Sequence, residues 1–323
     1  MRRLFAPVLA ACVLSPAALF AQQVVDTAFA PHRPTSAAHA PGRGPLVLID
    51  EAHNNFHTRT GRFAPFARLL ESDGFVVGEN RAPFTRIELE RARVVVIANA
   101  LHASVRQTSD WRLPGRSALD STEIRELAAW VRSGGSLLLI ADHMPFAGAA
   151  AELAAEFGVL FANGFVEPPN GAERCTRDFL ITYRRGDGSL RPGAITTSAQ
   201  RGARVDSVTT FTGSAFRFAP GVVGDALLQI PRGKLWLPRV AWTFGDTVPS
   251  TAADGMLQGA VLRVGRGRVA VFAEAAMFTA QRKCPERLPM GFNAPVAGQN
   301  AQFVLNVVRW LGRPTTRPRE APR

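Results

Sequence analysis

Imidazole or carboxylate side chains occur at four places in this chain of 323 residues, and at two of these places they occur together. Such groups are the usual general acids and bases of enzymes, and together they also suit zinc or another divalent metal. Four of the six histidines fall in three short segments that are rich in other polar residues. These segments hold Asp50, Glu51, His53, Asn54 and His57, then Asn99 and His102, and then Asp142 and His143. Glu274 marks the fourth place.

Four of these residues are the predicted catalytic groups: His53, Asp142, His143 and Glu274. The other six are predicted to bind the ligand: Asp50, Glu51, Asn54, His57, Asn99 and His102. No cofactor is assigned, and a divalent metal on His53, Asp142 and His143 is an open alternative to metal-free acid–base chemistry. The H-E-x-x-H and cysteine zinc motifs are absent, and so is the G-x-S-x-G elbow of serine hydrolases.

Each site segment follows an apolar run that is typical of a strand buried on both faces. These runs cover residues 45–50, 93–99, 136–141 and 267–272, with a short further strand at 75–77. Between the early apolar runs, apolar residues recur at helical spacing and predict helices. Asp120 and Glu123 form a capping box before one of these helices. Strands that alternate with helices predict a parallel sheet with right-handed crossovers. Parallel strands end on one edge, so the site residues are expected to converge on a single cleft there.

The second half of the chain has a different pattern. From about residue 176 to 258, short β-like runs are separated by glycine and proline, which predicts a β-rich insertion or extension of the sheet. A hairpin follows at 259–273, with its turn at Gly265 to Gly267. A last helix is predicted from Asn300 to Gly312. The folded α/β domain is expected to span residues 44–312.

The first 21 residues have the pattern of an export signal. Arg2 and Arg3 precede an apolar stretch that is too short to span a bilayer comfortably, and Ala21 is followed by polar Gln22. Cleavage there predicts an exported protein, periplasmic or extracellular, with no transmembrane segment. A lipoprotein cleavage box ending at Cys12 is the alternative. Residues 22–43 are predicted to be a flexible linker, and residues 313–323 a disordered tail.

Cysteine usage and charge bear on the compartment and on the partners. In an oxidising compartment, Cys175 and Cys284 are the candidate disulfide of the mature chain.

The formal net charge is +12, but nearly all of the basic residues are arginines scattered evenly along the chain. A nucleic-acid-binding protein is expected to cluster its positive charge and to interleave aromatic residues with it. Nucleic acid is therefore not a predicted partner.

Three motifs in this order carry a family resemblance. They are Asp50-Glu51-Ala52-His53 after the first strand, the segment 134–143 with its two glycines and its strand, and Asn306 to Leu311 in the last helix. The order resembles the class I glutamine-amidotransferase-like superfamily. Within it, the chain is most similar to the exported branch near the ThuA-like proteins and to the amidotransferase-like domains of gliding-motility and intraflagellar-transport proteins. The resemblance implies a mostly parallel, flavodoxin-like sheet flanked by helices, and hence the α/β class.

The resemblance also bears on chemistry. Amidotransferases carry a cysteine at the elbow after the strand, whereas this chain has Asp142-His143-Met144-Pro145, so glutamine hydrolysis by a thiolate is not available. His53 and His143 match positions where ThuA-like relatives often carry histidine, which implies a ligand site that is sugar-related in some members. The first hypothesis is a hydrolase acting on a small polar substrate such as a saccharide or an amide. The alternatives are a non-catalytic carbohydrate-binding domain and a cell-envelope scaffold that binds a protein partner.

Overall fold

The structure is a computed structural model that describes residues 23–30, 34, 36–168, 180–197, 203–283 and 287–314. The predicted signal peptide, the tail beyond residue 314, Cys12 and the candidate disulfide of Cys175 and Cys284 lie outside the described residues. No helix in the described ranges is long and apolar enough to cross a membrane.

The strands and helices follow one another along the chain with these bounds. The strands are β1 (Val24–Val25), β2 (Leu46–Asp50), β3 (Val76–Asn80), β4 (Val94–Ala98), β5 (Ser136–Ile140), β6 (Val159–Ala162), β7 (Phe165–Glu167), β8 (Leu180–Arg184), β9 (Ser207–Phe211), β10 (Ala215–Phe218), β11 (Asp225–Gln229), β12 (Lys234–Trp236), β13 (Ser250–Ala252), β14 (Leu257–Val264), β15 (Gly267–Phe272), β16 (Ala280–Lys283) and β17 (Leu288–Gly291). The α-helices are α1 (Ala64–Ser72), α2 (Arg86–Glu90), α3 (Ser121–Arg132), α4 (Phe146–Ala149), α5 (Ala151–Ala155) and α6 (Asn300–Gly312).

A nine-stranded sheet organises the fold. Five strands are parallel and lie in the order β3-β2-β4-β5-β15. At Gly265-Arg266 the chain reverses, so β14 runs antiparallel to β15, and β10, β6 and β11 extend this antiparallel part. The predicted α/β class is therefore confirmed, but the sheet is mixed because a hairpin joins the last parallel strand to the β-rich part.

Side chains from the two faces of the sheet enter two separate cores, because successive residues of a strand point in opposite directions. One core joins alternate strand residues to α1 and α6, with Phe66 and Val307 among its fully buried members. The other joins the remaining strand residues to α3 and α5, with Leu127 and Leu153 fully buried. Helices on both faces explain why the central strands are continuous apolar runs.

The described residues between 176 and 258 contain β8 to β13 and the start of β14, and no helix. Some of these strands extend the main sheet, and others form the small sheets β13-β12-β7 and β8-β9. This part of the chain is β-rich, as the density of glycine, proline and short apolar runs predicts.

The described part of segment 22–43, the predicted flexible linker, makes several contacts with the domain. Strand β1 pairs with β16, and the carboxylate of Asp26 lies 2.9 Å from Nε of Arg282 and accepts a hydrogen bond from Asn293. Further along, the backbone N–H of His39 donates to the carbonyl oxygen of Asp73. The proline- and alanine-rich composition concealed these contacts because they are made largely by the backbone.

Candidate functional site

The predicted site residues follow β2, β4, β5 and β15, which are direct neighbours in the sheet. Ile140 of β5 is in register with Ala98 on one side and with Phe272 on the other. The residues just beyond these strands therefore share the carboxyl edge of the sheet. Their side chains divide into three groups around His53, His143 and Glu274, and the groups differ in burial and in partners.

His53 is held between two carboxylates. Its Nδ1–H donates to Oδ2 of Asp50 and its Nε2–H donates to Oε1 of Glu123, each over 2.8 Å. Asp50 is fully buried and also accepts from the side-chain amides of Asn55 and Asn80 at 3.0 and 3.1 Å. The two ion pairs fix the loop after β2 against the first turn of α3.

The ionisation of His53 follows from these partners. Burial lowers its pKa, but the hydrogen bonds and charges of Asp50 and Glu123 outweigh burial and raise the pKa to about 9. An imidazolium with both N–H groups donated has no lone pair to offer to a proton or a metal. In this arrangement His53 joins the loop after β2 to α3 through both ring nitrogens, and its role as a catalytic base or metal ligand stays a prediction.

His143 lies in an aromatic environment just past β5. Its ring stacks on Phe165 with 4.6 Å between centroids and 14° between planes, and it makes an edge contact with Trp242 at 4.5 Å. Its Nδ1–H donates to the carbonyl oxygen of Met144 over 2.6 Å. Since a carbonyl only accepts, the hydrogen of this contact is on Nδ1. Trp242 has a backbone φ of +66°, a conformation that costs energy for a side chain of this size.

His57 is buried beside the same aromatic group. It is 3% exposed, packs against Phe63 at 4.8 Å, and its Nδ1 atom has no hydrogen-bond partner among the described residues. Burial, Arg62 and His143 lower its pKa well below the usual value, so the ring is neutral. Both His57 and His143 are buried, at 3% and 8% exposure, and direct binding of a ligand by His57 stays a prediction.

Glu274 is a fully buried carboxyl group. Its two oxygens accept hydrogen bonds from the backbone N–H groups of Ala276 and Met277 at 2.6 and 2.8 Å. Burial, and secondly the charge of Asp142, raise its pKa well above the ordinary value, and the backbone donors oppose this. Asp142 is only partly buried, and its Oδ1 accepts from the backbone N–H of His143 at 2.7 Å.

Asn99 connects two strand ends at the edge. Its backbone has a φ of +48°, its N–H donates to the carbonyl of Ile140, and its Oδ1 accepts from the backbone N–H of Asp142 at 2.9 Å. It therefore orients Asp142. Asn54, also at a φ of +48°, donates from Nδ2 to the carbonyl of Val105 at 2.7 Å and ties together the loops after β2 and β4.

The two remaining predicted binding residues make local contacts. His102 accepts on Nδ1 from the backbone N–H of Ser104 at 3.0 Å within an exposed turn. Glu51 faces the β3 side, where it accepts from the backbone N–H of Arg59 at 2.8 Å and lies 3.5 Å from Arg81. Neither side chain contacts the aromatic residues around His143 in any described interaction.

Within the described ranges, no three His, Cys, Asp or Glu side chains are grouped so that they could hold a metal ion. The proposed set of His53, Asp142 and His143 is not assembled, because both nitrogens of His53 bind carboxylates and one nitrogen of His143 binds a carbonyl. A divalent metal on these three residues stays a prediction.

Sequence reasoning missed three important partners. Glu123 carried the signal of a helix cap, and it does cap α3, but nothing local indicates that Oε1 also reaches His53. Trp242 and Phe165 belong to separate β-rich segments and carry no motif. Their approach to His143 depends on how the chain returns after β5, which no local pattern encodes.

Comparison with known proteins identifies the fold of this chain but assigns neither a family nor a function. No family model and no curated protein matches the chain. The N-terminal domain of mmIFT52 superimposes with a TM-score of 0.54 at 14% identity, covering 84% of this chain and 99% of that domain. A cytoplasmic protein of Salmonella typhimurium LT2 gives 0.49 at 14% identity, covering 83% of this chain and 99% of that one, and a ThuA-like protein of Bacteroides uniformis gives 0.44 at 14%, covering 86% and 94%.

The chain therefore shares the fold of the mmIFT52 domain over most of both chains. Identity this low establishes the architecture alone, because one fold hosts many functions. The predicted resemblance to the intraflagellar-transport domains is supported at the level of the fold. The exported branch within the superfamily stays a prediction.

Proposed function

We propose that this chain binds a small polar ligand, with a saccharide as the preferred class, beside His143. The observation that carries the proposal is the contact of His143 with an aromatic strip, defined as the partly exposed rings of Trp236, Phe244 and Trp242. Adjacent centroids along the strip are 5.9 and 6.5 Å apart, and Trp242 lies 4.5 Å from the imidazole. Flat apolar rings beside a few polar groups are the usual lining of a small-molecule site.

The polar groups at the end of the strip suit hydroxyl groups. The carboxylate of Asp142, the neighbour of His143 in the chain, is partly exposed and can accept hydrogen bonds from hydroxyl groups. A sugar offers hydroxyl donors on its rim and C–H groups on its faces, and the rings of the strip are wide enough to cover such a face. Asn99 holds Asp142 in position, because its Oδ1 atom accepts a hydrogen bond from the backbone N–H of Asp142.

Binding is favoured over catalysis because two of the four predicted catalytic groups already have internal roles. His53 is enclosed by Asp50 and Glu123, and Glu274 caps the turn at Ala276–Phe278 with both oxygens. A general base must reach the proton that it removes. Only Asp142 and His143 combine this edge of the sheet with the aromatic strip.

Titration of the protein with a panel of mono- and oligosaccharides, followed by calorimetry and tryptophan fluorescence, tests the proposal. We expect Trp242→Ala and His143→Ala to weaken binding by about tenfold or more, as is usual for removal of a central contact. Trp130→Phe is the matched control, since Trp130 lies beside Gly135 at the opposite edge of the sheet. Equal loss in the control, or no binding across the panel, would contradict the proposal.

Hydrolysis of the bound ligand is the second candidate. The observation in its favour is that the partly exposed carboxylate of Asp142 adjoins the imidazole of His143 and accepts from its backbone N–H, so two groups able to exchange protons lie together there. In this scheme one of Asp142 and His143 takes a proton from water, and the other donates a proton to the leaving group. Asp142→Asn should then abolish release of reducing ends or of ammonia while ligand binding persists. Release at the wild-type rate would remove this candidate.

We also infer that the parallel half of the sheet is flavodoxin-like. The support is its strand order, in which the second parallel strand of the chain lies outside the first, and the third, fourth and fifth follow on the other side. A crystal structure tests this directly. A different order among these five strands would contradict it.

We further propose that the protein is exported and that its mature chain begins at Gln22. The support is the pattern of a basic start, an apolar stretch and a small residue before a polar one. The same compartment would allow Cys175 and Cys284 to form a disulfide. N-terminal sequencing and mass spectrometry without reductant test both statements, and an acylated Cys12 or two alkylatable thiols would contradict them.

A further inference from the structure

Four arginines meet at the amino edge of the sheet, opposite the candidate site. We call Arg93, Arg263, Arg268 and Arg313 the arginine cluster. Arg93 precedes β4, Arg313 follows α6, and Arg263 of β14 is the direct cross-strand partner of Arg268 in β15. Like charges placed opposite each other in a sheet destabilise it. Arg268 has partners within the fold, since its guanidinium group lies 5.6 Å from the centroid of the Trp310 ring, but none of these partners carries a negative charge.

The guanidinium groups of Arg93 and Arg268 share a backbone carbonyl as acceptor, and neither is paired with a carboxylate among the described residues. Nη2 of Arg93 and Nη1 of Arg268 both donate to the carbonyl oxygen of Arg313, the second over 2.6 Å. Arg93 also donates to the carbonyl of Gly134 at 2.6 Å. Among the described residues, neither side chain has a carboxylate partner, and the Nε atoms of both are buried without an acceptor.

Burial makes the missing countercharge more significant. Arg268 is only 7% exposed, and desolvation, followed by the charges of Arg93, Arg263 and Arg313, lowers its pKa. Helices α3 and α6 end near the cluster and bring the negative ends of their dipoles. Two helix ends supply roughly one negative charge in total, against four positive ones. The balance remains strongly positive.

A groove at the surface gives access to this region. It is lined by His39, Pro45, Arg93, Gly312 and Pro314. We propose that the arginine cluster is a binding site for a phosphate-type oxyanion that enters through this groove. Guanidinium groups match the geometry of phosphate oxygens and hold them through charge-assisted hydrogen bonds. The bound group is either free phosphate or the phosphate of a small organic ester.

Calorimetric titration with inorganic phosphate, at constant ionic strength in chloride buffer, tests this site. Arg263→Gln is the informative variant because Arg263 is exposed and makes none of the backbone contacts that Arg93 and Arg268 provide. We expect it to weaken phosphate binding about tenfold, as for loss of one hydrogen bond to a charged group. In phosphate-free buffer, its Tm should be higher than that of the wild type because a repulsion is removed.

Arg217→Gln is the matched control. Arg217 is an exposed arginine in β10 of the same sheet, and its cross-strand partner is the uncharged Leu160. It should bind phosphate within about twofold of the wild type, which separates site binding from the general stabilisation by phosphate salts. An equal phosphate affinity in Arg263→Gln and Arg217→Gln, or no measurable binding to the wild type, would overturn the proposal.

A parallel titration with glucose 6-phosphate distinguishes the two sources of the oxyanion. Tighter binding of the ester by about tenfold or more supports an organic phosphate, and equal or weaker binding supports the free ion. The arginine cluster and the aromatic strip lie at opposite edges of the sheet. Failure of one site therefore leaves the other unaffected.

Discussion

Nε2 of His53 lies 2.8 Å from Oε1 of Glu123, although 70 positions separate the two residues in the chain. The same carboxylate oxygen accepts from the backbone N–H of Phe84 at 2.9 Å, and the ring of Phe84 stacks on the imidazole at 5.0 Å. A single buried contact therefore connects the loop after β2, the chain after β3 and the start of α3. The stability of this junction depends on the charge of His53.

The first prediction concerns pH. Folding raises the pKa of His53 from 6.5 to about 9, so its contribution is complete below the lower value and disappears as pH rises through the upper one. His53→Gln should cost about 3 kcal/mol near pH 6 and much less near pH 10. Urea denaturation at both pH values measures this. His102→Gln, in an exposed turn, should stay within about 0.5 kcal/mol of wild type.

The second prediction concerns Glu274. Its pKa in the folded state is raised, so the native state keeps a proton that the unfolded chain releases, and stability falls as pH rises above the ordinary value. Glu274→Gln carries no such charge and should lose less stability between about pH 5 and pH 8. Thermal unfolding across this range compares the two. Identical pH dependence would show that Glu274 is ionised in the native protein.

The third prediction concerns the backbone next to Glu274. Gly213 has a φ of +93°, and an added Cβ would lie 2.5 Å from the carbonyl oxygen of Ala273 and 2.9 Å from Cβ of Glu274. Gly213→Ala should destabilise the protein by about 1–3 kcal/mol. Gly186 has open space where its Cβ would stand, so Gly186→Ala is the control. Equal free energies of unfolding for the two variants would contradict this account.

The fourth prediction separates the two roles of Asn99. Asn99→Gly keeps the left-handed backbone at φ +48° but loses the acceptor for the N–H of Asp142, whereas Asn99→Ala loses both. Asn99→Ala should therefore lower the free energy of unfolding by about 1–2 kcal/mol, and Asn99→Gly should lower it by less. Chemical denaturation ranks the variants. A larger cost for glycine would mean that backbone strain at this position is negligible.

Local patterns in the sequence predicted the elements well where one signal dominates. The last helix was predicted from Asn300 to Gly312 and has those bounds, because its apolar spacing is regular and proline follows it. The apolar runs ending at Asp50 and at Ala141 are strands β2 and β5 within one residue. The alanine-rich stretch after β5 forms two short helices, Phe146–Ala149 and Ala151–Ala155, for which the sequence has no cap signal.

The side-chain contacts of the candidate site could not be predicted from local sequence patterns. Strand ends predicted which residues share an edge, but a residue at an edge can point into either core or into solvent. His57 and Glu274 are buried, and His102 lies in an exposed turn, although all three were chosen by the same rule. The partners that decide their chemistry, Glu123 and Trp242 among them, come from distant segments.

Strand β15 has a consequence for the synthesis of the protein. It occupies the place between β5 and β14, yet it is translated long after β5. Until residues 267–272 leave the ribosome, every backbone group along that side of Ser136–Ile140 lacks its final partner, and open strand edges recruit other chains. A nascent chain that stalls within the β-rich segment therefore exposes the unpaired edge of β5, which lies at the centre of the completed sheet and is prone to aggregation. Chaperone binding during translation should be strongest in that interval.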